Sequence, residues 1–342
     1  MQQPAPQPVP EWRDVDARIL REEIFTAYRP AVLRGLVGAW PAVRSALSDP
    51  AGFGGYLAAF DNGQPVDAIL MPPEARGLIA YDAAMDGFNF ARNRLPVATI
   101  LEQLSRYARF EEPPSVAVQS APVADCLPGF AEENRLTLLD ADVAPRIWIG
   151  NRVTVPAHFD ESQNIACVVA GRRRFTLFPP EQVANLYVGP LDFAPTGAAM
   201  SVAPLAAPDF ERFPRTREAL AAALVADLGP GDAIFIPTLW WHHVESLDRA
   251  LNVLVNYWWH GALGSVEPMP SGMEALLHAL LNIKPMPPAL RAAWAGLFDH
   301  YVFGGGEESL SHIPEHRRGV LSTLSPEAAK RMREFLAARL RR

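Results

Sequence analysis

Residues 158–164 read HFDESQN, and residues 230–247 read PGDAIFIPTLWWHHVESL. A histidine and an aspartate two apart in an apolar stretch are costly to bury unless something pairs with them. In an extended strand the side chains alternate between faces. His158 and Asp160 are therefore expected to point the same way, about 6.6 Å apart along the chain. Two ligands from one strand leave room for a third from a facing strand, and the second stretch supplies a candidate. Trp240, His242 and Val244 share one face there; Trp241, His243 and Glu245 share the other. The first face is the better interior, because Val244 is apolar where Glu245 is charged. His242 is thus the expected third ligand, and His243 is expected behind the ligands or at the surface. Two histidines and one carboxylate leave one face of an octahedral metal open, the donor set of non-heme Fe(II) oxygenases.

A cation accompanies this set. In GRRRFTLFPPEQ, residues 171–182, the alternation puts Arg173 on the same face as Phe175 and Leu177, with Arg172 and Arg174 outward. A guanidinium on an interior face is costly unless it meets an anion, so Arg173 is expected to clamp one. Asn164 shares parity with His158 and Asp160, and Asn256 lies in VLVNYWW, residues 253–259. Each is either a satisfied core amide or a hydrogen-bond donor to a bound organic acid.

The surrounding chain fits a β architecture. From about Val116 onward, SVAVQ, RIWIGN, NIACVVAG, RRFTLFPP and LNVLVNYWW are short runs of β-branched and aromatic residues, several closed by Gly or Pro. AGRR, residues 170–173, reads as a tight hairpin turn. Residues 1–11 read as an extended or disordered arm, and residues 12–60 as helical segments around a short strand. Residues 94–110 have the spacing of an amphipathic helix. The segment 186–226 is long and proline-bearing, and loops of that length usually carry function or disorder. After Gly264 the pattern turns helical, ending in a segment that opens Ser325-Pro326-Glu327, a helix start signal. Residues 1–262 are expected as one domain and 263–342 as a helical region.

Composition bounds the function. The 342 residues are 49% hydrophobic and 20% charged, an ordinary globular balance. A formal net charge of −7 gives no basis for a general nucleic-acid binder. Two distant cysteines, Cys126 and Cys167, without C-x-x-C spacing suggest a reducing compartment. With neither a signal-peptide core nor a run of about 18 apolar residues, the expectation is a cytoplasmic protein with no membrane partner.

Four stretches, VPAHFDESQN (155–164), GRRRFTLFPPEQ, PGDAIFIPTLWWHHVESL and VNYWW (255–259), resemble motifs of the JmjC-type cupin-like hydroxylases, in that family's order. RPAVLRGLVGAWPAV (29–43) is similar to its N-terminal strand region, so the resemblance runs over roughly residues 25–262. It implies a double-stranded β-helix, a cupin/JmjC-like jelly roll that is mainly β, with an N-terminal helical elaboration and C-terminal helices. It implies Fe(II) on His158, Asp160 and His242, and 2-oxoglutarate held by Asn164, Arg173 and Asn256. The implied reaction hydroxylates a peptide, protein or small-molecule substrate, and the implied assembly is a homodimer through the C-terminal helices. Three positions depart from the family. Arg173 stands where it has a lysine, Val155 where it has a threonine, and Ala117 where it has a tyrosine. The competing reading is a metal-binding cupin of another class, either an enzyme without cosubstrate or a binding protein without turnover.

Overall fold

The computed structural model describes residues 6–260, 271–304 and 310–341. The chain divides into two compact units, residues 1–269 and 270–342. The expected boundary at 262/263 lies outside the described residues.

In the first unit the strands are, in chain order, β1 (Gln7–Pro8), β2 (Glu11–Trp12), β3 (Ala31–Leu33), β4 (Val66–Met71), β5 (Ala91–Leu95), β6 (Ser115–Pro122), β7 (Pro145–Gly150), β8 (Thr154–His158), β9 (Gln163–Ala170), β10 (Arg173–Phe178), β11 (Leu224–Leu228), β12 (Ala233–Ile236), β13 (Trp241–Ser246) and β14 (Asn252–Trp259). One sheet has the order β1-β11-β10-β13-β8, the other β2-β3-β12-β9-β14-β7-β6-β4-β5. From β7 to β14 the chain passes back and forth between the sheets, which is the winding of a jelly roll.

Strand β9 shows why the sequence folds this way. Ala166 and Val168 pack between the sheets with Phe175, Leu177, Ile234, Trp240 and Leu254. The alternate residues Ile165, Cys167 and Val169 join a second core that includes Val43, Ile100 and Leu104. Those three lie on the helices Pro41–Ser48 and Val97–Tyr107. Covered on both faces, β9 reads as an unbroken apolar run rather than an alternating one.

Two local expectations are corrected. AGRR is a tight turn with Gly171 at φ 72°, but it joins strands of different sheets instead of closing a hairpin. A Cβ on Gly171 would lie 2.2 Å from Asn252 Oδ1, so glycine is required both for the backbone angle and for the close approach. The helix expected over 94–110 begins only at Val97, because Ala91–Leu95 pair with β4 and Pro96 sets the entry. The N-terminal arm is extended, and short pieces of it dock on both sheets: Gln7 pairs with Leu224 and Glu11 with Val32. Val9, 2% exposed, drops into the core between the sheets.

The second unit holds the helices Gly272–Asn282, Pro288–Phe298 and Pro326–Leu340. Ser271 and Ser325 cap two of them by accepting from the backbone N–H of Glu274 and Ala328. Among the described residues, no helix is long and apolar enough to cross a membrane.

Candidate metal and organic-acid site

His158 closes β8 and faces His242 of β13 directly across the ladder. Their ring centroids are 4.2 Å apart. Asp160 lies two residues beyond the end of β8, where its carbonyl accepts from the backbone N–H of Leu239 at 2.9 Å. That bond turns the chain so that Asp160 Oδ2 lies 3.7 Å from His242 Nε2. One donor atom from each of the three residues lies within 4.8 Å of the others. The convergence comes from a strand end and a turn, not from the unbroken strand alternation that the sequence suggests.

The tautomers follow from the hydrogen bonds. His158 Nδ1 donates to the Pro156 carbonyl at 2.9 Å, and His242 Nδ1 to the Trp240 carbonyl at 3.1 Å. A carbonyl only accepts, so both rings carry their proton on Nδ1 and turn an Nε2 lone pair toward the site. Burial, reinforced by the neighbouring His242, pulls the His158 pKa down to about 4. The ring is thus neutral, as a metal ligand must be. Two imidazole nitrogens and a carboxylate oxygen fit a first-row divalent ion such as Fe(II).

These residues open on a cavity of about 320 Å³, whose lining also includes Asn164, Arg173, Asn256, Val155, Trp148 and Trp258. All six site residues expected from the sequence therefore meet in one place. Arg173 begins β10, in register with Ser246 of β13, and Phe175 opposite Val244 continues the same wall. The Nε of Arg173 is buried without a hydrogen-bond partner. Among the described residues the guanidinium has no carboxylate partner, whereas Arg172 is paired with Asp248 and Arg174 with Asp227. Desolvation pulls the Arg173 pKa down to about 10, still charged at neutral pH. A lone interior cation fits a bound anion.

The two amides play different parts. Asn256 Oδ1 accepts from Trp148 Nε1 at 2.9 Å, and Asn256 Nδ2 donates to Asn164 Oδ1 at 3.4 Å. Asn256 is engaged at both ends. Asn164, with its oxygen occupied, keeps its NH₂ as the donor toward the cavity. Trp258 Nε1, on the same lining, is a buried donor without a partner.

Sequence reasoning left gaps here. Of the tryptophans on these strands, Trp148 and Trp258 line the cavity. Trp241 packs instead with Leu186, Ala219 and Phe178, and Trp259 with Phe25 and Phe235. Ala117 joins an apolar cluster with Ile69 and Met71 away from the cavity lining. His243 is not a surface residue: it is 3% exposed, with neither ring nitrogen hydrogen-bonded. The outer face of β13, which the sequence leaves open to solvent, is packed at Trp241 by residues of the 186–226 segment. That segment also supplies Thr196 and Ala198 to the cavity wall, and Met200 bridges to His158. Asp67 and Arg92 complete the mouth from β4 and β5. No spacing in the sequence ties these five residues to the motifs.

Comparison with known proteins places the chain among cupin-like proteins. The chain is 28% identical over 222 residues to lysine-specific demethylase JMJ31 of Arabidopsis thaliana, covering 59% of this chain and 39% of the relative. It is 26% identical over 246 residues to lysine-specific demethylase 8 of Xenopus tropicalis, covering 70% and 50%. It is 37% identical over 114 residues to human HSPB1-associated protein 1, covering 33% and 22%. The chain thus spans half or less of the length of these curated relatives. Residues 17–264, which hold both sheets from β3 onward and every residue of the cavity lining, match the cupin-like domain, and the chain belongs to that family.

Proposed function

We propose that this protein is an Fe(II)- and 2-oxoglutarate-dependent oxygenase that hydroxylates a side chain of a peptide or protein. The observation that carries the reading is the meeting, in one cavity, of a facial His158–Asp160–His242 donor set with the unpaired cation Arg173. Fe(II) with 2-oxoglutarate would supply activation of O₂ toward a substrate C–H bond. The chain's own residues do the rest. Pro156 and Trp240 carbonyls lock the two rings as Nε2 ligands. Arg173 holds the far carboxylate of the diacid by charge-assisted hydrogen bonds. Asn164, oriented by Asn256 and Trp148, would donate its free NH₂ to the same acid. Phe175, Val244 and Leu254 line the same cavity with apolar surface that excludes water.

Relatives named as lysine-specific demethylases support a protein substrate and the oxygenase class; hydroxylation is our assignment for this chain. The test is twofold. Release of CO₂ from 2-oxoglutarate in proportion to a substrate mass gain of one oxygen is the expected result. Metal binding with no consumption of 2-oxoglutarate would favour the other reading, a metal-binding cupin. Val155, which lines the cavity without a hydroxyl, is the feature that keeps that reading in play.

We also propose a homodimer formed through the C-terminal unit. None of the helices Gly272–Asn282, Pro288–Phe298 and Pro326–Leu340 has a buried residue. Leu281, Phe303 and Phe335 are 63%, 77% and 57% exposed. Large apolar side chains exposed in this number suit burial against a second copy. Light scattering should report a dimer for the full chain and a monomer for a version ending at Gly264. A monomeric full chain would refute the assembly.

A further inference from the structure

A second cavity, of about 700 Å³, shares Asp67, Gln119 and Ser120 of its lining with the cavity at the metal site. The junction is a built feature. Strand β6 changes register against β7 between Val118 and Ala121, the mark of a bulge. Within it Ser120 has φ 50°, a left-handed backbone angle that costs a non-glycine residue free energy. Arg146 holds it there: its Nε donates to Ser120 Oγ and a terminal nitrogen to the Ser120 carbonyl, both at 2.6 Å. The same guanidinium lies 5.7 Å from the ring centre of Trp258, a residue of the metal cavity. One arginine therefore braces the bulge that lines both cavities.

The second cavity carries two acidic and two basic side chains on its lining, Asp67 and Asp125 with Arg94 and Arg146. Asp67 is neutralised by an ion pair with Arg92 at the mouth. Arg94, Arg146 and Asp125 also line it, and among the described residues none of the three is in an ion pair. Arg146 is occupied at the bulge, and Arg94 makes one hydrogen bond, to the Pro65 carbonyl at 3.0 Å. Arg94 projects from β5, an edge strand of the larger sheet. Arg94 is exposed on that edge, with one hydrogen bond made inside the protein, so its other donors are free to meet an acceptor. The metal cavity alone has room for a small diacid and one side chain, at the low end of ligand pockets. The rest of a larger substrate must leave through the mouth.

We infer that the second cavity is a substrate subsite: a polypeptide places its reacting side chain at the metal, crosses Ser120, and lays a neighbouring acidic side chain against Arg94. This rests on the oxygenase reading above and narrows its substrate class to extended segments with an acidic flank. A free amino acid would leave the second cavity without a role.

A randomised dodecapeptide library selected on the immobilised full-length protein tests it without turnover. Bound peptides should be enriched in Asp and Glu on one flank by about two- to fivefold, the weight of a partly exposed ion pair. Arg94→Ala should lose the enrichment, and Arg94→Glu should turn it toward Lys and Arg. The protein's net charge of −7 biases non-specific capture toward basic peptides, so an acidic preference is not a background effect. Recovery without acidic preference, a preference unchanged in Arg94→Glu, or no recovery above the bare support would overturn the subsite. Binding of 2-oxoglutarate to the same samples reports on the oxygenase reading separately, because Arg94 does not line the metal cavity.

Discussion

Replacing Arg173 with alanine is expected to weaken 2-oxoglutarate binding by about a hundredfold or more while leaving the fold and Fe(II) affinity intact. The guanidinium is the cavity's cation without a protein carboxylate, and its Nε is buried with no partner. Truncating one partner of a buried charge pair typically costs about 3–5 kcal/mol, and each 1.4 kcal/mol is about tenfold in affinity. In the unliganded protein the same substitution removes an uncompensated buried charge, so thermal stability should hold or rise. This opposite sign separates a ligand clamp from a structural arginine, whose loss would lower both. Arg173→Lys should recover part of the affinity, limited by its shorter reach and the loss of bidentate geometry.

His158→Ala, Asp160→Ala and His242→Ala should each abolish stoichiometric Fe(II) binding under anaerobic loading. Three ligands are the minimum of a facial site, and the removal of any one leaves two. His243→Ala is the control. His243 is adjacent in sequence and equally buried, but it lies on the other face of β13, with Glu245 at 3.7 Å. That variant should retain iron while losing thermal stability through the cavity it creates. Metal analysis after desalting reads all four variants, and iron lost from His243→Ala but kept by His242→Ala would exchange the assigned roles of the two faces.

The motifs carry much of the fold because the jelly roll core repeats a local rule. In β10 and β13 one face packs between the sheets, and alternation in FTLF and WWHHV reveals it. In β9 both faces are covered, so apolar content marks the strand but nothing marks its sheet. That is why AGRR reads as a hairpin, although the chain there crosses to the other sheet. The site splits along the same line. His158, Arg173 and His242 sit on or at the ends of regular strands, where parity is informative. Asp160 and Asn164 share their parity with His158 only by coincidence, since the chain leaves β8 at His158 and enters the other sheet at Gln163. Arg92, Thr196 and the braced Ser120 reach the cavity through an edge strand, a long segment and a bulge. Tertiary contact rather than local period places these residues, and a single sequence does not encode it in a readable pattern.

If one cavity holds a metal on His158, Asp160 and His242 and a dicarboxylate on Arg173, the two ligands must meet in it. Titration of the anaerobic Fe(II)-loaded protein with 2-oxoglutarate, followed through the visible metal-to-ligand charge-transfer band, tests both ligands at once. The wild type should show a saturable band, Arg173→Ala the same band at about a hundredfold or more higher 2-oxoglutarate, and His242→Ala none. A wild-type protein with full iron occupancy and no band at saturating 2-oxoglutarate would contradict that shared site.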